Sequence, residues 1–227
     1  MCSSDLSKII SYAPEHISLY ALTVEEGTPL EKHIGAGLVH FDSDLVYEEW
    51  ENCARLLLAA GYERYEVSNF AKKGYEAIHN SSYWEQYDYI GIGAGATGTV
   101  YSFANGVLGE RWTNTHNIQE YIAFWNKWEN KSLCNTNYEI LPRKTEFLDL
   151  ATQEFEAIML ALRTKKGISA NAYKERYAVL QWKGDIEARL GVKDGAWKDF
   201  ATQGKCLPFG EKRNGDTFYA LNDKGLD

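Results

Sequence analysis

The chain has 227 residues, of which 44% are hydrophobic and 25% charged, so it can bury a sizeable core, and disordered and fibrous proteins are excluded. Its longest apolar run, residues 157–162, is far shorter than the roughly 18 residues that span a bilayer, which indicates a cytoplasmic protein. The formal net charge of −8 disfavours nucleic acid as a partner, because phosphate contacts need clustered Lys and Arg. The four cysteines, at positions 2, 53, 134 and 206, lack the spacings of metal and redox motifs.

The first predicted elements are a strand, a helix and a second strand. Residues 16–24 are rich in β-branched and aromatic side chains and are partly apolar on both parities, which indicates a buried strand of a parallel sheet. Residues 42–60 carry apolar side chains at steps of four and three and are followed by Gly61, which predicts an amphipathic helix. Residues 64–69 form the second strand, so the unit has the length of a right-handed crossover onto a parallel sheet. Residues 87–92 predict a third short strand.

The later part of the chain is predicted to be mainly helical. Residues 101–115 are rich in Gly, Asn and aromatics and indicate a hairpin or an irregular extension, and residues 130–143 are the best candidate linker. Helical patterns cover residues 118–128, 147–162, 169–177 and 184–190, the second with Leu148, Ala151, Phe155, Ile158 and Leu162 on one face. Residues 212–221 predict a hairpin that turns at Arg-Asn-Gly-Asp. This order of helices and hairpin is typical of a winged-helix domain.

Residues 1–6 are treated separately from the rest of the chain. Cys-Ser-Ser-Asp-Leu is what a common sequencing-adapter stretch encodes when it is translated, so we expect an artefactual or truncated start. These residues are therefore excluded from the prediction of the fold.

A run of glycine and alanine is the most visible motif. Residues 91–98 contain Gly93-x-Gly95-x-x-Gly98 after a predicted strand, which matches the dinucleotide-binding fingerprint. A dinucleotide site needs a helix to follow, and residues 101–112 show no helical period, so the context argues against that function. Two interpretations stay open. The small residues let a flat ligand approach the backbone, or they permit tight packing.

A second group of polar and aromatic residues surrounds the predicted second strand. Glu66, Ser68 and Asn69 are followed after ten residues by His79-Asn80 and Tyr83-Trp84, so donors and stacking planes occur together in one loop. His79 is either an iron ligand or, since no second ligand is nearby, a hydrogen-bonded structural residue. Tyr83 and Trp84 are equally well explained as core aromatics. A third segment, residues 25–29, is explained by Gly and Pro as a plain turn.

Five motifs in this order resemble the radical S-adenosylmethionine proteins of the HemW type, which belong to the oxygen-independent coproporphyrinogen III oxidase-like family. The motifs are His16-Ile-Ser-Leu-Tyr-Ala-Leu-Thr-Val-Glu-Glu-Gly-Thr-Pro29, Tyr65-Glu-Val-Ser-Asn-Phe-Ala71, His79-Asn-x-x-Tyr-Trp84, Tyr89-Ile-Gly-Ile-Gly-Ala-Gly-Ala96 and Arg111-Trp-Thr-Asn114. Weaker similarity continues to the end of the chain. The resemblance corresponds to the later part of a longer protein, so the early barrel strands and the Cys-x-x-x-Cys-x-x-Cys loop of the [4Fe–4S] cluster have no counterpart in this sequence.

The resemblance implies an α/β fold, in which the last strands of an incomplete (β/α)6 radical SAM barrel precede a mainly helical, winged-helix-like C-terminal domain. The expected segments are residues 7–130 for the barrel part with its extension, 131–143 for the linker and 144–227 for the C-terminal domain. S-adenosylmethionine would lie with its adenine against Ala21 and Thr97. The small-residue wall of that site would be Gly93, Ala94, Gly95 and Ala96. The family usually has Gly-Ala-His where this chain has Gly-Ala-Thr at residues 95–97, so a role that needs imidazole there is in doubt.

The resemblance also implies a haem-related function. The His-Asn-x-x-Tyr-Trp motif distinguishes the HemW group, regarded as haem chaperones that deliver haem to respiratory enzymes, from the true coproporphyrinogen oxidases. His79 is the candidate axial ligand of the haem iron, and Asn80, Tyr83 and Trp84 would lie beside it. The alternatives are oxidative decarboxylation of coproporphyrinogen III, with the same cofactors, and a cofactor-free interaction module, which fits a chain without cluster ligands. The expected partners are haem or another porphyrin and a haem-accepting respiratory protein.

Overall fold

A computed structural model describes residues 3–101, 109–128, 141–178, 186–193, 195–206, 210–222 and 226. The chain divides into two compact units, Met1–Ile78 with Leu226–Asp227, and His79–Gly225. Helices and strands are both present in each unit, which agrees with an α/β class. Among the helices in the described part, none is long and apolar enough to cross a membrane.

Residues 3–77 of the first unit form three helices and three short strands. They are α1 (Ser3–Ser11), β1 (His16–Ser18), α2 (Pro29–Gly35), α3 (Ser43–Ala59), β2 (Glu63–Arg64) and β3 (Asn69–Ala71). The predicted helix over residues 42–60 is confirmed by α3, whose first amides, on Asp44 and Leu45, donate to the side chain of Asp42 at 3.0 and 3.2 Å. Its buried face is Trp50, Cys53, Ala54 and Leu57.

The parallel pairing predicted for the first two strands is wrong. Both β1 and β2 pair antiparallel with β3, which lies between them, with His16 opposite Ala71 and Glu63 opposite Ala71. The segment predicted as one strand, residues 64–69, reverses the chain instead. The Glu66 carboxylate accepts the amide of Ser68 at 3.1 Å, and the Arg64 guanidinium donates to the Val67 carbonyl at 2.7 Å. These side chains satisfy the backbone of a turn, so β3 runs back along β2.

The strand predicted over residues 16–24 is shorter than expected. Only residues 16–18 pair in the sheet, and Tyr20 and Leu22 are exposed. The apolar side chains on both parities therefore do not mark a strand buried on both faces. After β1 the chain is held by two further bonds, from the Leu19 amide to the Ser68 carbonyl at 2.8 Å and from Trp50 Nε1 to the Leu19 carbonyl at 3.2 Å.

The core of the first unit includes Leu6, which lies in the segment of residues 1–6 that the predicted fold leaves out. Leu6, on α1, is fully buried, and it packs with Leu19, Trp50, Cys53, Ala54, Leu57, Tyr62 and Phe70. The Leu6 side chain fills part of this core although residues 1–6 were excluded from the prediction of the fold, and the artefactual or truncated start expected there stays a prediction.

The second unit contains the remaining elements. They are α4 (Ile78–Trp84), which begins at its boundary, β4 (Thr97–Val100), β5 (Gly109–Asn114), α5 (Ile118–Trp128), β6 (Arg143–Leu148), α6 (Leu150–Leu162), β7 (Ile168–Ser169), α7 (Ala170–Ala178), α8 (Ile186–Leu190), α9 (Ala196–Thr202), β8 (Glu211–Arg213) and β9 (Asp216–Tyr219). The helices predicted over residues 118–128, 169–177 and 184–190 are confirmed within their described parts by α5, α7 and α8.

An antiparallel sheet in the order β4-β5-β6 occupies the start of this unit. The strand predicted over residues 87–92 is wrong except for a single bridge between Tyr89 and Thr99, since Ile90 and Ile92 are exposed. The hairpin expected over residues 101–115 is represented by β5, which pairs back onto β4, and residues 102–108 lie outside the described part. The predicted linker at residues 131–143 lies almost wholly outside it too, and stays a prediction.

Helix α6 confirms the helical pattern of residues 147–162 but corrects its buried face. The helix begins after Asp149, whose side chain accepts the Thr152 amide at 2.8 Å, and Phe147 belongs to β6. Phe155 is 65% exposed, whereas Glu154 is fully buried. Arg189 donates to the two Glu154 carboxylate oxygens at 3.1 and 2.5 Å, and the Tyr173 hydroxyl donates to one of them. Hydrogen-bond donors on other helices thus allow the charged side chain of Glu154, and not the ring of Phe155, to lie on the buried face of α6.

A third antiparallel sheet, in the order β7-β9-β8, lies with α7, α8 and α9 in the last part of the unit. The predicted turn at residues 213–216 is confirmed, because Asn214 and Gly215 both have positive φ, 49° and 82°, as a two-residue hairpin requires. The core here is formed by ten buried side chains: Ala157, Ile168, Tyr173, Tyr177, Ile186, Leu190, Val192, Trp197, Cys206 and Tyr219. Burial raises the pKa of Tyr173 well above its ordinary value, and the bonded Glu154 carboxylate raises it further.

The position of Leu6 predicts a large effect of truncating it. Leu6→Ala should lower the free energy of unfolding of the first unit by about 2–4 kcal/mol, because the substitution leaves a cavity in a closed core. Leu38→Ala is the control, since Leu38 is 74% exposed and should cost less than about 0.5 kcal/mol. Hydrogen exchange of the α3 amides in the full chain measures both. Equal protection in the two variants would show that Leu6 does not belong to this core.

The buried carboxylate of Glu154 predicts a comparable loss in the second unit. Glu154→Ala should cost about 2–4 kcal/mol, because it removes the acceptor of Tyr173 and Arg189 and opens a cavity. The control is Glu175→Ala, at an exposed position of α7. Urea unfolding of the full chain, followed by hydrogen exchange of α6 and α7, measures the difference. If both variants unfold at the same urea concentration, the buried network contributes nothing to stability.

Candidate functional site

The glycine and alanine run forms a loop that β5 holds by its backbone. The Asn114 side chain donates to the carbonyls of Gly91 and Gly93 at 3.2 and 2.9 Å. The amide of Gly93 donates to the Tyr121 hydroxyl at 3.1 Å, and the amide of Gly95 donates to the Thr115 carbonyl at 2.8 Å. The backbone polar groups of the loop are therefore satisfied by side chains and backbone of β5, α5 and the turn between them.

Glycine is required in this loop for two different reasons, depending on the position. A Cβ at Gly91 would lie 2.3 Å from the Thr97 carbonyl oxygen, and one at Gly98 would lie 2.3 Å from the Trp112 ring, so packing alone requires these two. Gly93 and Gly95 have positive φ, 120° and 72°. A Cβ at Gly93 would meet nothing within 4 Å, so this side of the loop is open.

The position of Gly98 in the fold also bears on whether the loop resembles a dinucleotide-binding site. Gly98 lies in β4 opposite Trp112, and Thr97 lies opposite Thr113 with the two hydroxyls 2.9 Å apart. The third glycine of the fingerprint thus belongs to a strand and not to the first turn of a helix. A pyrophosphate site of this type would need the N-terminus of a helix where the structure has the strand Thr97–Val100.

Helix α4 carries all four residues of the predicted haem motif. His79 is exposed, and its Nε2 lies 3.1 Å from the hydroxyl of Tyr83, one turn further along the helix. The two rings meet edge to face, with centroids 5.0 Å apart. Asn80 and Trp84 are half-buried. The indole Nε1 of Trp84 is buried without a hydrogen-bond partner among the described residues.

A series of side-chain contacts connects Tyr83 to an ion pair. Its ring packs edge to face on Tyr89, with centroids 4.7 Å apart, and the Tyr89 hydroxyl accepts a bond from the buried Thr99 hydroxyl at 3.0 Å. Arg111 Nε donates to that Thr99 oxygen at 3.2 Å, and its two terminal nitrogens donate to the Glu156 carboxylate at 2.8 and 2.7 Å. The bond to Glu156 raises the pKa of Arg111 above its ordinary value.

Arg111 and Glu156 are functional candidates that sequence reasoning missed. Arg111 was noted only as the first letter of Arg-Trp-Thr-Asn, and Glu156 was not singled out at all. The available signal was weak, namely an arginine within a predicted strand or extension. Its partner is 45 residues away, so no local pattern connects the two.

The candidate residues of the first unit lie in two places. Glu66 is buried and holds the turn between β2 and β3, and Asn69 accepts from the Ser18 hydroxyl at 2.5 Å across the β1–β3 pair. Ala21 is exposed in the extended segment after β1. Residues 25–29 form the turn that the sequence indicated, since Thr28 accepts the Glu31 amide at 3.3 Å as the N-cap of α2 and the Glu31 carboxylate accepts the Gly27 amide at 2.7 Å.

The described residues offer no place for an iron–sulfur cluster. Within them, no group of three or more His, Cys, Asp and Glu side chains could hold a metal ion. Two of the four cysteines are described, Cys53 in the core of the first unit and Cys206 in the core of the second. Burial raises the pKa of the Cys206 thiol, which opposes the thiolate form that ligates iron. A [4Fe–4S] cluster therefore does not fit this part of the chain.

Comparison with known proteins extends the motif evidence. No model of a protein family matches the chain. The haem chaperone HemW of Haemophilus influenzae is 33% identical over 155 residues, 67% of this chain and 39% of the relative. HemW of Escherichia coli is 44% identical over 96 residues, 42% of this chain and 25% of the relative. Radical S-adenosyl methionine domain-containing protein 1, mitochondrial, of Danio rerio is 30% identical over 165 residues, 72% of this chain and 35% of the relative.

A solved structure shows that the fold is shared more widely. Coproporphyrinogen III oxidase from Escherichia coli, a radical SAM enzyme, aligns over 97% of this chain and 47% of its own, with a TM-score of 0.55 and 14% identity. The chain spans less than half the length of these relatives. For the part of the chain that they match, the relatives confirm the resemblance to HemW-like radical S-adenosylmethionine proteins.

Proposed function

We propose that the chain is part of a haem chaperone of the HemW type and that α4 carries its haem ligand. The observation that carries the proposal is the exposed imidazole of His79 on this helix. The relatives named as haem chaperones support the class, and neutral imidazole is a common axial ligand of haem iron.

The unit that contains His79 also offers exposed apolar side chains. A porphyrin is a large apolar plane with two carboxylates, so it needs apolar surface beside the iron ligand. Ile90 and Ile92, 76% and 86% exposed, follow α4 in the same unit. The unpaired Trp84 Nε1 is a donor without an acceptor among the described residues. His79 would hold the haem iron, and the exposed isoleucines would supply apolar surface for the porphyrin.

S-adenosylmethionine is proposed to lie against the glycine loop. The support is the open side of the backbone at Gly93, together with the small side chains of Ala94 and Ala96, which let a flat adenine come close. The expected adenine contact of Thr97 uses a residue whose hydroxyl already bonds Thr113. Ala21 is proposed for the same cofactor on the resemblance alone. S-adenosylmethionine supplies radical chemistry in the family that the chain resembles, and no step of that chemistry is assigned to these residues.

The finer description of the fold is part of the proposal. Residues 7–130 are proposed as the later part of an incomplete (β/α)6 barrel with an extension on the resemblance alone, because the described strands of this segment pair antiparallel. We take residues 144–227 as a winged-helix-like domain after a linker at 131–143. The element order α6-β7-α7-α8-α9-β8-β9, with its closing hairpin, supports the second assignment. Decarboxylation of coproporphyrinogen gains no support from the solved structure, because 14% identity shows a common fold only. A respiratory haem acceptor and a cytoplasmic location stay predictions.

The haem proposal predicts that His79 dominates affinity. His79→Ala should weaken haem binding by at least about ten-fold, because even outer partners of metal ligands are worth 10- to 100-fold. The control is His40→Ala, which removes another exposed imidazole outside the site. Titration of each full chain with haem, followed by the Soret band, gives the affinity. Equal affinities of wild type and His79→Ala would exclude His79 as the ligand.

The S-adenosylmethionine proposal predicts a role for Asn114. Asn114→Ala removes two bonds to the loop carbonyls at a buried site, so it should destabilise the loop by about 1–3 kcal/mol and weaken cofactor binding. Hydrogen exchange of residues 91–98, with and without S-adenosylmethionine, reports both effects, and Gln119→Ala is the exposed control. A loop that loosens in the variant but gains no protection from S-adenosylmethionine even in the wild-type chain would place the cofactor elsewhere.

A further inference from the structure

We infer that Tyr83 is a positioning residue whose hydroxyl occupies the iron-binding nitrogen of His79, so that haem must displace this hydroxyl to bind. The inference rests on the proposed haem function. It adds that Tyr83 competes with haem iron for Nε2 of His79, and that a series of buried groups holds Tyr83 in place.

The competition follows from the chemistry of imidazole. Nε2 has a single position, which holds either a lone pair or a proton, so it makes one directed bond in the plane of the ring. In this structure that position faces the Tyr83 hydroxyl at 3.1 Å. Whether Nε2 accepts the hydroxyl proton or donates its own, iron cannot reach it until the contact between Nε2 and the hydroxyl is broken. His79 and Tyr83 are four residues apart on α4, so the helix itself keeps them together.

The ring of Tyr83 is better held than the ring of His79. It packs on Tyr89, whose backbone amide and carbonyl bond to the carbonyl and amide of Thr99 at 2.9 Å each. The Tyr89 hydroxyl accepts from the fully buried Thr99 hydroxyl, which in turn accepts from Arg111. His79 is exposed, and its ring meets the Tyr83 ring edge to face. The mobile partner is therefore the imidazole, which turns away from Tyr83 when it binds iron.

Competition between the Tyr83 hydroxyl and haem iron for His79 has a measurable consequence. Tyr83→Phe keeps the ring and its packing on Tyr89 but removes the hydroxyl. Haem should then bind about three- to ten-fold more tightly, because one net hydrogen bond no longer has to be broken. Tyr75→Phe is the matched control, since Tyr75 is an exposed tyrosine of the first unit and its loss should leave haem affinity unchanged. In the double variant His79→Ala, Tyr83→Phe, the gain should disappear.

A ligand-free measurement separates this inference from the haem proposal. The side-chain nitrogens of His79 are observed by NMR in the full chain without haem, at about pH 8, where imidazole is neutral. The Nε2 resonance should shift in Tyr83→Phe and stay in place in Tyr75→Phe.

The outcomes of the two measurements are distinct. An unchanged Nε2 resonance in Tyr83→Phe would overturn the inference, whatever the haem titration gives. An equal or weaker haem affinity of Tyr83→Phe would overturn the competition even if the resonance shifts. A shifted resonance without a haem-dependent Soret band in any variant would overturn the proposed function and the haem part of the inference with it. A shifted resonance together with tighter haem binding supports both.

Discussion

The arrangement of the candidate site depends on one bidentate ion pair, that of Arg111 with Glu156. Two parallel bonds at 2.8 and 2.7 Å fix the guanidinium plane of a residue in the central strand of the β4-β5-β6 sheet against α6. Its remaining Nε is thereby directed at the Thr99 hydroxyl of β4. Planar, doubly bonded pairs are the charge interactions with the most defined geometry, and this one is half-buried, so solvent screens it little.

The same sheet positions both halves of the site. From Thr99 the row of contacts leads through Tyr89 to Tyr83 and His79, whereas from Asn114, at the other end of β5, two bonds lead to the glycine loop. Gly98 lies between these regions and is pressed against Trp112 of β5. A shift of β5 would therefore disturb the loop and the helix together. This explains physically why Arg-Trp-Thr-Asn occurs in the sequence as one continuous motif: all four of its residues contact the site or its supports.

Local signals sufficed for some elements and failed for others. The apolar spacing and Gly61 predict α3, and Asn-Gly between two short strands predicts the β8-β9 hairpin, because each feature is decided within a few residues. The direction of β3 is decided by Glu66, whose carboxylate stabilises a turn, and a carboxylate in an apolar segment does not reveal whether it ends a strand or bends it. The face of α6 is decided by Tyr173 and Arg189, which make the burial of Glu154 possible from 19 and 35 residues away.

In the candidate site, too, local sequence signals reveal some residues and fail to reveal others. His79 and Tyr83 were found because they are close in sequence and chemically distinctive, and the glycine loop was found by its composition. Sequence reasoning left the choice between ligand approach and tight packing open for the whole loop, and the structure divides it between residues: packing explains Gly91 and Gly98, whereas Gly93 keeps an open side. The supports of Tyr83 were missed since they come from β4, β5 and α6, and tertiary contacts of this kind leave no periodic pattern in a sequence.

For a protein that carries haem and then gives it up, an iron ligand with a competing partner has a thermodynamic advantage. Release of haem from an isolated imidazole leaves a nitrogen that only water can satisfy. Here the Tyr83 hydroxyl is held 3.1 Å from that nitrogen, so the bond that forms on release offsets part of the cost of breaking the bond to iron. The exposed position of His79 would act in the same direction, because a ligand at the surface would bind haem without enclosing it. Under the proposed function, α4 and its supports therefore favour transfer of haem over storage.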